Sequence, residues 1–412
     1  MPQEPDERYR QLIGRRPLNI EVAIDDTTLR DGIQMPGTAI SPKDAAQVAK
    51  LLNSIGVERI EVHQYQKPDK EAIQLIKGMD LEAKLAVWCR ALKSDVESAV
   101  ALDIEDVGIS HPVSQIHMSA KWPEKPFEEI LRNVVDVVEF AKAHGLTVFV
   151  HGEDSTRADW EMERAFVNGI ADAGAEVYRI CDTVGVGSSD PMVPLPNGIP
   201  AKIQSLRKET KIGCLEIHAH DDLGNAVENS IAAVRAADGL YEKIYVSTTM
   251  LGMGERAGNA ETEKVMMNLY FHYGVTKFEK YISKLKEAAD YVSYATGVVI
   301  PPNKAIVGEY AFAHESGIHT HGVLRDPSTY EFMPPERLGN VRRLSIGKQS
   351  GTAIIKHRLE ELIKSSVDKN DERLRLLVQL VRDEYATGER KSSLRENEFI
   401  RLVRKAGFRL NV

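Results

Sequence analysis

The chain has 412 residues, of which 42% are hydrophobic and 28% are charged, and its formal net charge is −8. This composition is typical of a globular protein with a large core, and the acidic balance without basic runs argues against a nucleic-acid-binding surface. The chain starts with a polar segment unlike a signal peptide, and no stretch of eighteen apolar residues occurs, so we expect a cytoplasmic protein that does not bind a membrane.

Short β-rich segments alternate with longer segments of helical periodicity along the first two thirds of the chain. Strands joined by helical crossovers pair in parallel, and eight such units predict a (β/α)8 TIM barrel. An open doubly wound sheet is the alternative, but the first strand continues into DDTTLRDG instead of a glycine-rich phosphate-binding turn. The predicted strands are residues 20–25, 59–63, 84–89, 106–110, 146–151, 176–181, 214–218 and 243–248.

The alternation stops after about residue 275. A helical pattern over 276–295 leads to an irregular segment rich in Pro, Gly and His, and further helical patterns follow within 352–365, 369–387 and 394–406. We therefore predict a C-terminal helical subdomain beside the barrel. The predicted division is a polar N-terminal extension over 1–18, a catalytic barrel over 19–275, and a linker with the helical subdomain over 276–412.

Potential metal ligands follow several predicted strands at the end where a parallel barrel forms its active site. His218 and His220 lie one residue apart on strand seven, so both imidazoles point to the same face and can bind one cation. Asp31 after strand one and Asn259 after strand eight are placed to complete this site. Such mixed ligands fit zinc, manganese, iron(II) or magnesium, whereas a hydrogen-bonded pair of polar residues at a strand end is the alternative.

Other polar residues are expected in the same cavity. Arg30, beside Asp31, can stabilise negative charge on a carbonyl oxygen, with an ordinary surface salt bridge as the alternative. Glu153, at the end of strand five, can act as an acid or base or hold a neighbouring group in place. The segment AFAHESGIHTHGVL, residues 311–324, is interpreted as a loop that brings an acid or base to a substrate, with a second metal site or a solvated loop as alternatives.

Together the motifs resemble the acyl-CoA-dependent 2-oxo-acid condensing synthases, the family of homocitrate, 2-isopropylmalate, citramalate and Re-type citrate synthases. The resemblance covers roughly residues 20–365 and is greatest to the homocitrate synthases of nitrogen-fixing bacteria. The motifs that carry it, in the order typical of the family, are DTTLRDG (26–32), GEDSTRAD (152–159), DTVGV (182–186), HAHDDLGNA (218–226), LGMGERAGNA (251–260), FAHESGIH (312–319) and GKQSG (347–351).

The resemblance implies an acyltransferase (EC 2.3.3.-) that condenses acetyl-CoA with a 2-oxo acid and requires a divalent metal, Mg, Mn or Zn. It implies that Arg30 stabilises charge and binds substrate, and that Thr183 binds the carboxylate of the 2-oxo acid. It also implies a domain-swapped homodimer, in which residues of the C-terminal subdomain act across the interface. The remaining roles that it implies are metal binding by Asp31, His218, His220 and Asn259, and proton transfer by Glu153, His319 and Tyr330.

The chain departs from the family pattern near the expected substrate. Ile33 stands where relatives usually have Glu, and Phe149 stands where lysine-pathway homocitrate synthases have an arginine for the distal carboxylate. His63 and His151 are predicted to bind the substrate instead. We expect 2-oxoglutarate, as in homocitrate synthase, with oxaloacetate as the first alternative and citramalate or isopropylmalate synthesis after it. A hydroxyacyl-CoA lyase and an inactive relative are the alternatives from other classes, and Ile33 is the only feature that favours an inactive relative.

Overall fold

The computed structural model describes residues 14–410 of the chain. These residues divide into two compact units, one comprising 15–300 and the other comprising 301–410 with Gly14. Most of the N-terminal extension predicted over 1–18 lies outside the described residues. No helix within residues 14–410 is both long and apolar enough to cross a membrane.

Eight parallel strands close into a barrel in which each strand pairs with its neighbours in chain order. Strand β1 closes the ring by pairing with β8, from Glu21 opposite Lys243 to Asp26 opposite Thr248. The predicted fold class is therefore confirmed, with strand ends displaced by only one or two residues. The strands are β1 (Glu21–Asp26), β2 (Arg59–Val62), β3 (Lys84–Arg90), β4 (Asp106–Pro112), β5 (Thr147–Glu153), β6 (Val177–Asp182), β7 (Cys214–Ala219) and β8 (Lys243–Thr248).

Helices connect the strands and cover the outside of the barrel. The first helix begins at Pro42, because the Ser41 hydroxyl accepts a hydrogen bond from Asp44 N at 3.1 Å and Pro42 occupies the first turn. Two helices follow β4, so the connection from β4 to β5 is longer than the other connections between consecutive strands of the barrel. The helices of this unit are α1 (Pro42–Ser54), α2 (Lys67–Lys77), α3 (Lys93–Ala101), α4 (Gln115–Lys121), α5 (Phe127–Ala143), α6 (Trp160–Asp172), α7 (Ile199–Glu209), α8 (Ala226–Ala237), α9 (Thr262–Tyr273) and α10 (Leu285–Thr296).

The barrel interior contains a layer of buried charged residues. Arg179 Nη2 lies 2.8 Å from Glu61 Oε2 and 2.8 Å from Glu216 Oε1, and it also contacts Asp25. Arg59 Nη2 lies 2.8 Å from Asp25 Oδ2 and also contacts Glu216. A buried charge is tolerated only when it is paired, so these side chains stabilise one another and fix the shape of the interior.

The C-terminal unit packs helices around an apolar core that includes Ile354, Leu377 and Phe399. Its short strands, β9 (Ala313–His314) and β10 (Arg343–Leu344), pair in parallel. The loop interpretation of 311–324 is wrong over Gly317–Arg325, because this stretch forms helix α11. Gly317 and Gly322 lower the helix propensity of this stretch, so its sequence does not predict a helix. The predicted helical patterns correspond to α12 (Thr352–Ile363), α13 (Glu372–Asp383) and α14 (Glu396–Lys405).

Candidate active site

Asp31, His218 and His220 come together at the C-terminal end of the barrel. Asp31 Oδ2 lies 3.2 Å from His218 Nε2 and 3.8 Å from His220 Nε2, and the two Nε2 atoms are 3.2 Å apart. All three side chains are buried. One ligand atom of each residue can therefore reach a common point, which is the geometry required for a metal site.

The hydrogen bonds of the two imidazoles leave their Nε2 atoms facing this point. His220 Nδ1 lies 3.2 Å from the carbonyl oxygen of Gly258, which can only accept, so Nδ1 carries the proton and Nε2 has a free lone pair. His218 Nδ1 lies 2.9 Å from the Ser247 hydroxyl. Burial lowers the pKa of both histidines, that of His220 to about 3. Neutral imidazoles with a buried Nε2 lone pair are the form that binds a metal ion.

Arg30 and Glu61 set the electrostatics next to this cluster. Arg30 Nε donates to Glu61 Oε1 at 2.6 Å, and Arg30 Nη1 lies 3.7 Å from Asp31 Oδ2. Burial raises the pKa of Asp31, but the Arg30 guanidinium and the two histidines outweigh it and hold that pKa well below its ordinary value. Asp31 is therefore an anion, and Arg30 Nη2 is buried with no hydrogen-bond partner in the described part of the chain.

Asn259 is placed beside the cluster by an antiparallel bridge to His220. Its Nδ2 donates to Met253 O at 2.9 Å, whereas its Oδ1 is buried without a partner among residues 14–410. Asp31 Oδ2 is likewise buried without a hydrogen-bond donor there. Orphaned buried acceptors of this kind are costly unless a cation or proton satisfies them. Two imidazoles, a carboxylate and an amide oxygen fit a divalent cation, although Asn259 as its fourth ligand stays a prediction.

Glu153 lies at the end of β5 and is held by two residues from the segment after β4. Lys121 Nζ donates to both carboxylate oxygens, at 2.9 and 2.7 Å, and His117 Nδ1 lies 3.3 Å from Oε1. Its neighbour Asp154 is in the left-handed conformation, with φ 64°, and its backbone N–H donates to the Thr183 hydroxyl at 2.8 Å. The Thr183 hydroxyl proton therefore stays available for a ligand.

His63 and His151 present unpaired ring nitrogens. Arg179 Nη1 lies 3.4 Å from His151 Nδ1, and a guanidinium can only donate, so this contact assigns the His151 proton to Nε2. His151 Nε2 and His63 Nδ1 are both buried without hydrogen-bond partners in the described range. Burial, followed by the Arg179 charge, holds the pKa of His151 well below its ordinary value. His151 is thus a neutral donor.

His319 and Tyr330 lie in the C-terminal unit and form a stacked pair, with ring centroids 4.1 Å apart and an interplanar angle of 30°. Tyr330 is exposed, as is the neighbouring Ile318. His314 Nε2 faces Glu331 Oε1 at 3.5 Å. Within the described chain, only the barrel cluster groups three His, Cys, Asp or Glu ligand atoms this closely, so the second metal site considered for 311–324 gains no support.

The sequence interpretation missed Glu61, His117 and Lys121, which contact the predicted site residues Arg30 and Glu153. Glu61 could have been predicted, because an acidic residue inside a short apolar strand is buried and therefore has to pair with a buried cation. Lys121 and His117 follow β4 in an amphipathic segment that gives no such signal. Whether Lys121 and His117 contact Glu153 depends on the path of the chain after β4, which the sequence does not show.

Comparison with known proteins identifies the family. A protein-family model described as HMGL-like matches residues 21–292, and one described as homocitrate synthase post-HMGL domain-like matches residues 306–386. The chain belongs to the HMGL-like family. Its relatives include 2-isopropylmalate synthase from Methanocaldococcus jannaschii, 40% identical over 84% of this chain, and homocitrate synthase 1 from Nostoc sp., 38% identical over 93% of this chain. The predicted membership in the condensing synthases, and with it the acyltransferase class, is confirmed.

The two relatives differ in how much of their length is shared with this member of the family. The chain spans 64% of the isopropylmalate synthase and 97% of the homocitrate synthase. Among solved structures, HMG-CoA lyase from Brucella melitensis aligns with a TM-score of 0.56 at 17% identity, over 67% of this chain and 98% of that one. At this identity the likeness establishes the barrel fold alone.

Proposed function

We propose that the protein catalyses a metal-dependent Claisen-type condensation of acetyl-CoA with a 2-oxo acid, releasing CoA and a 2-hydroxy di- or tricarboxylic acid. The observation that carries the proposal is the convergence of His218 Nε2, His220 Nε2 and the unpaired Asp31 Oδ2 on one point beside Arg30. Relatives named as 2-isopropylmalate and homocitrate synthases support the same reaction class.

The residues of the cluster would hold Mg, Mn or Zn together with the 2-oxo acid. When bound, the cation supplies Lewis-acid polarisation of the ketone. Arg30, whose Nη1 lies 3.7 Å from Asp31 Oδ2, stabilises the negative charge that grows on the ketone oxygen. Thr183 donates its hydroxyl proton to the carboxylate of the 2-oxo acid, since its oxygen already accepts from Asp154 N.

Glu153 accepts a proton from the methyl group of acetyl-CoA. The electron pair of the broken C–H bond forms the enolate, whose carbon attacks the ketone carbon of the 2-oxo acid. The π bond of the ketone breaks, and its electron pair moves to the oxygen, which takes up a proton to become the hydroxyl of the product. Water then hydrolyses the thioester and CoA leaves. Lys121 and His117 support this step because they fix the position of the Glu153 carboxylate.

His319 and Tyr330 complete the proton transfers. Their stacked rings form one preorganised pair, and Tyr330 is exposed on the surface of its unit. We include in the proposal that the protein is a domain-swapped homodimer in which this pair acts at the barrel mouth of the partner subunit.

The substrate that we favour is 2-oxoglutarate, as in homocitrate synthase. His151 Nε2–H is a buried donor without a partner in the described residues, and His63 adds a second unpaired ring nitrogen. Such donors fit a carboxylate at the far end of the 2-oxo acid better than a branched apolar group. The preference for 2-oxoglutarate over a branched 2-oxo acid therefore rests on the unpaired ring nitrogens of His151 and His63.

Oxaloacetate is the second candidate, and the filled barrel interior favours it. A Cβ atom at Gly108 would lie 2.5 Å from His151 Nε2 and 2.6 Å from the Phe149 ring. These two bulky side chains therefore occupy the volume opposite β4. A shorter dicarboxylic 2-oxo acid fits the space that remains.

The test is release of free CoA from acetyl-CoA with Mn²⁺, Mg²⁺ or Zn²⁺, using 2-oxoglutarate, oxaloacetate, pyruvate and 2-oxoisovalerate in parallel. Turnover with 2-oxoglutarate supports the first candidate and turnover with oxaloacetate the second. Metal-dependent cleavage of a hydroxyacyl-CoA without any 2-oxo acid would instead identify a lyase. Silence in all assays would mean either an unusual 2-oxo acid as substrate or an inactive relative.

A paired variant tests the metal assignment directly. We expect His218→Ala to lose both bound metal and turnover, because one of two imidazole ligands is gone. His144→Ala is the matched control, since His144 is an exposed histidine at the end of α5. Retained metal with normal turnover in His218→Ala would refute the assignment.

A further inference from the structure

His117 lies between two carboxylates at the end of β5. Its Nδ1 is 3.3 Å from Glu153 Oε1, and its Nε2 is 3.7 Å from Asp154 Oδ2. Asp154 is fully buried, whereas Glu153 is partly exposed and is the proton acceptor of the proposed reaction. The imidazole therefore joins a buried carboxylate to a group that has to give up its proton before the next turnover.

Asp154 holds His117 in this place through Ser114. The Ser114 hydroxyl donates to Asp154 Oδ2 at 2.5 Å, and it accepts from the backbone N–H of His117 at 3.2 Å as the N-terminal cap of α4. Ser114 and Asp154 are both fully buried, so the start of α4 is fixed against the end of β5. The fold thus sets where the His117 ring lies relative to Glu153.

Each of the two carboxylates already has its own cation. Lys121 Nζ donates to both oxygens of Glu153, at 2.9 and 2.7 Å. Arg157 Nε donates to Asp154 Oδ1 at 2.8 Å. Two carboxylates and two cations balance, so a neutral His117 leaves the group without net charge.

The proposed reaction distinguishes the two ring nitrogens of His117. Glu153 becomes protonated in it, whereas Asp154, held by two donors, stays an acceptor. A neutral ring with its proton on Nε2, towards Asp154, presents the lone pair of Nδ1 to Glu153. Nδ1 is buried without a hydrogen-bond partner among residues 14–410, so no donor there occupies this lone pair. His117 is therefore complementary to Glu153 in the state that follows proton abstraction.

We propose that His117 relays to water the proton that Glu153 takes from the acetyl methyl group. The O–H bond of protonated Glu153 breaks, its electron pair stays on the carboxylate, and the proton bonds to His117 Nδ1. The imidazolium lies between two carboxylates and then gives a proton to water, which reaches the ring because the side chain is 21% exposed. The proposal rests on the proposed function, because it takes Glu153 as the acceptor of the methyl proton.

The first experiment measures kcat for CoA release by the full chain with Mn²⁺ and the 2-oxo acid that the wild type turns over. His117→Gln keeps a polar side chain that cannot take up a proton, and His117→Ala leaves room for an added base. Both should lower kcat roughly 100-fold, the order of effect of a proton-transferring group. Added imidazole should restore much of the activity of His117→Ala but none of that of His117→Gln. His144→Ala, which removes an exposed histidine, is the matched control and should keep wild-type kcat.

A series of imidazoles of similar size and different base strength distinguishes proton transfer from filling of the space. A relay predicts that the restored rate rises with the base strength of the added imidazole. A ring that only supports the Glu153 carboxylate predicts the same restored rate for all of them. Circular dichroism checks that every variant is folded.

Asp154→Asn tests the carboxylate that positions His117. Asparagine tolerates the left-handed φ of 64° at this residue, so the hydrogen bond from its backbone N–H to the Thr183 hydroxyl is kept. The amide weakens the hold on the imidazole, so kcat should fall roughly tenfold while the KM for the 2-oxo acid stays within about twofold. An unchanged kcat would contradict the positioning role of Asp154.

The outcomes separate the relay from the proposed function. Folded His117 variants with wild-type kcat would overturn the relay, as would a folded His117→Ala that no base restores or that all bases restore equally, while wild-type turnover would leave the condensation standing. A wild-type protein that neither turns over any 2-oxo acid nor exchanges the acetyl methyl hydrogens of acetyl-CoA with D2O would overturn both. Where exchange occurs without turnover, the exchange rate takes the place of kcat in the same comparisons.

Discussion

Replacing Glu61 by glutamine removes the carboxylate that links Arg30 to the charged layer inside the barrel. Glu61 Oε1 accepts from Arg30 Nε at 2.6 Å, and Oε2 lies 2.8 Å from Arg179 Nη2. Burial raises the pKa of Glu61, but Arg179 and Arg30 outweigh it and hold that pKa well below its ordinary value, so Glu61 is ionised. Removing one partner of a buried ion pair costs roughly 3 kcal/mol of unfolding free energy.

Activity should fall further than this loss of stability requires. Without Glu61, Arg30 Nε loses its anchor, and the guanidinium, whose Nη1 lies 3.7 Å from Asp31 Oδ2, is no longer fixed. A displacement of about 1 Å at such a group lowers kcat/KM by up to roughly 100-fold. Steady-state release of CoA measures kcat/KM, and urea unfolding measures stability. Metal content measured on the same sample shows whether the Asp31 cluster is intact.

Glu216→Gln is the matched control. Glu216 belongs to the same buried layer and contacts Arg59 and Arg179, but it makes no ion pair with Arg30 among the described residues. It should cost a similar amount of stability and leave kcat/KM within about threefold of wild type, because Arg30 keeps its partner. Equal losses of activity in the two variants would refute the role given to Glu61 and reduce the layer to a purely structural feature.

Three further predictions concern other parts of the site. Lys121→Met should lower kcat roughly tenfold, because the Glu153 carboxylate loses two hydrogen bonds that fix its position. His151→Gln should flatten the pH dependence of stability. Burial keeps His151 neutral in the folded protein, whereas the same histidine in the unfolded chain takes up a proton below pH 6.5. Below that pH the wild type therefore loses about 1.4 kcal/mol of unfolding free energy per pH unit, and the variant does not. Co-expressed His319→Ala and His218→Ala chains should recover about a quarter of wild-type activity, because half of the dimers are mixed and each mixed dimer has one intact site.

Each of these predictions has a control and a contrary result. Lys211→Met removes an exposed lysine that also contacts both oxygens of one carboxylate, Asp172, and normal kcat is expected. An equally inactive Lys211→Met would show that the Lys121 effect is not specific to Glu153. Urea unfolding between neutral pH and about pH 5 tests His151, and parallel curves would contradict the assignment of a neutral imidazole. Mixed chains as inactive as either parent would refute catalysis across the interface.

The barrel could be predicted from the sequence because its signals are local and repeat. Each strand is a short apolar segment and most crossovers show helical periodicity, so one missed boundary does not change the topology. The segment 311–324 shows the limit of this reasoning. Helix α11 begins at Gly317 and includes Gly322, and its stability comes from packing, which propensity does not reveal.

The convergence of Asp31, His218 and His220 was predictable because each residue lies at or just after the end of a strand. His218 and His220 share a face through strand periodicity, and the closed barrel brings Asp31 to them, since β1 and β7 both pair with β8. The contacts of Glu153 were not predictable in this way. Lys121 and His117 contact Glu153 from the segment after β4, whose path is set by tertiary packing. Residue spacing in the sequence does not reveal which side chains of that segment lie near the end of β5.

The charges around the cluster also bear on the kind of substrate. Burial keeps His218 and His220 neutral, so Asp31 contributes the only negative charge of the triad. A divalent cation held by one carboxylate and two neutral imidazoles retains a net positive charge. The positive charge of Arg30 is paired with the carboxylate of Glu61, so the two residues together add no net negative charge to the site. Such a site attracts an anionic ligand, and a 2-oxo acid brings a carboxylate next to its ketone, so the charge balance favours a 2-oxo acid over a neutral ketone.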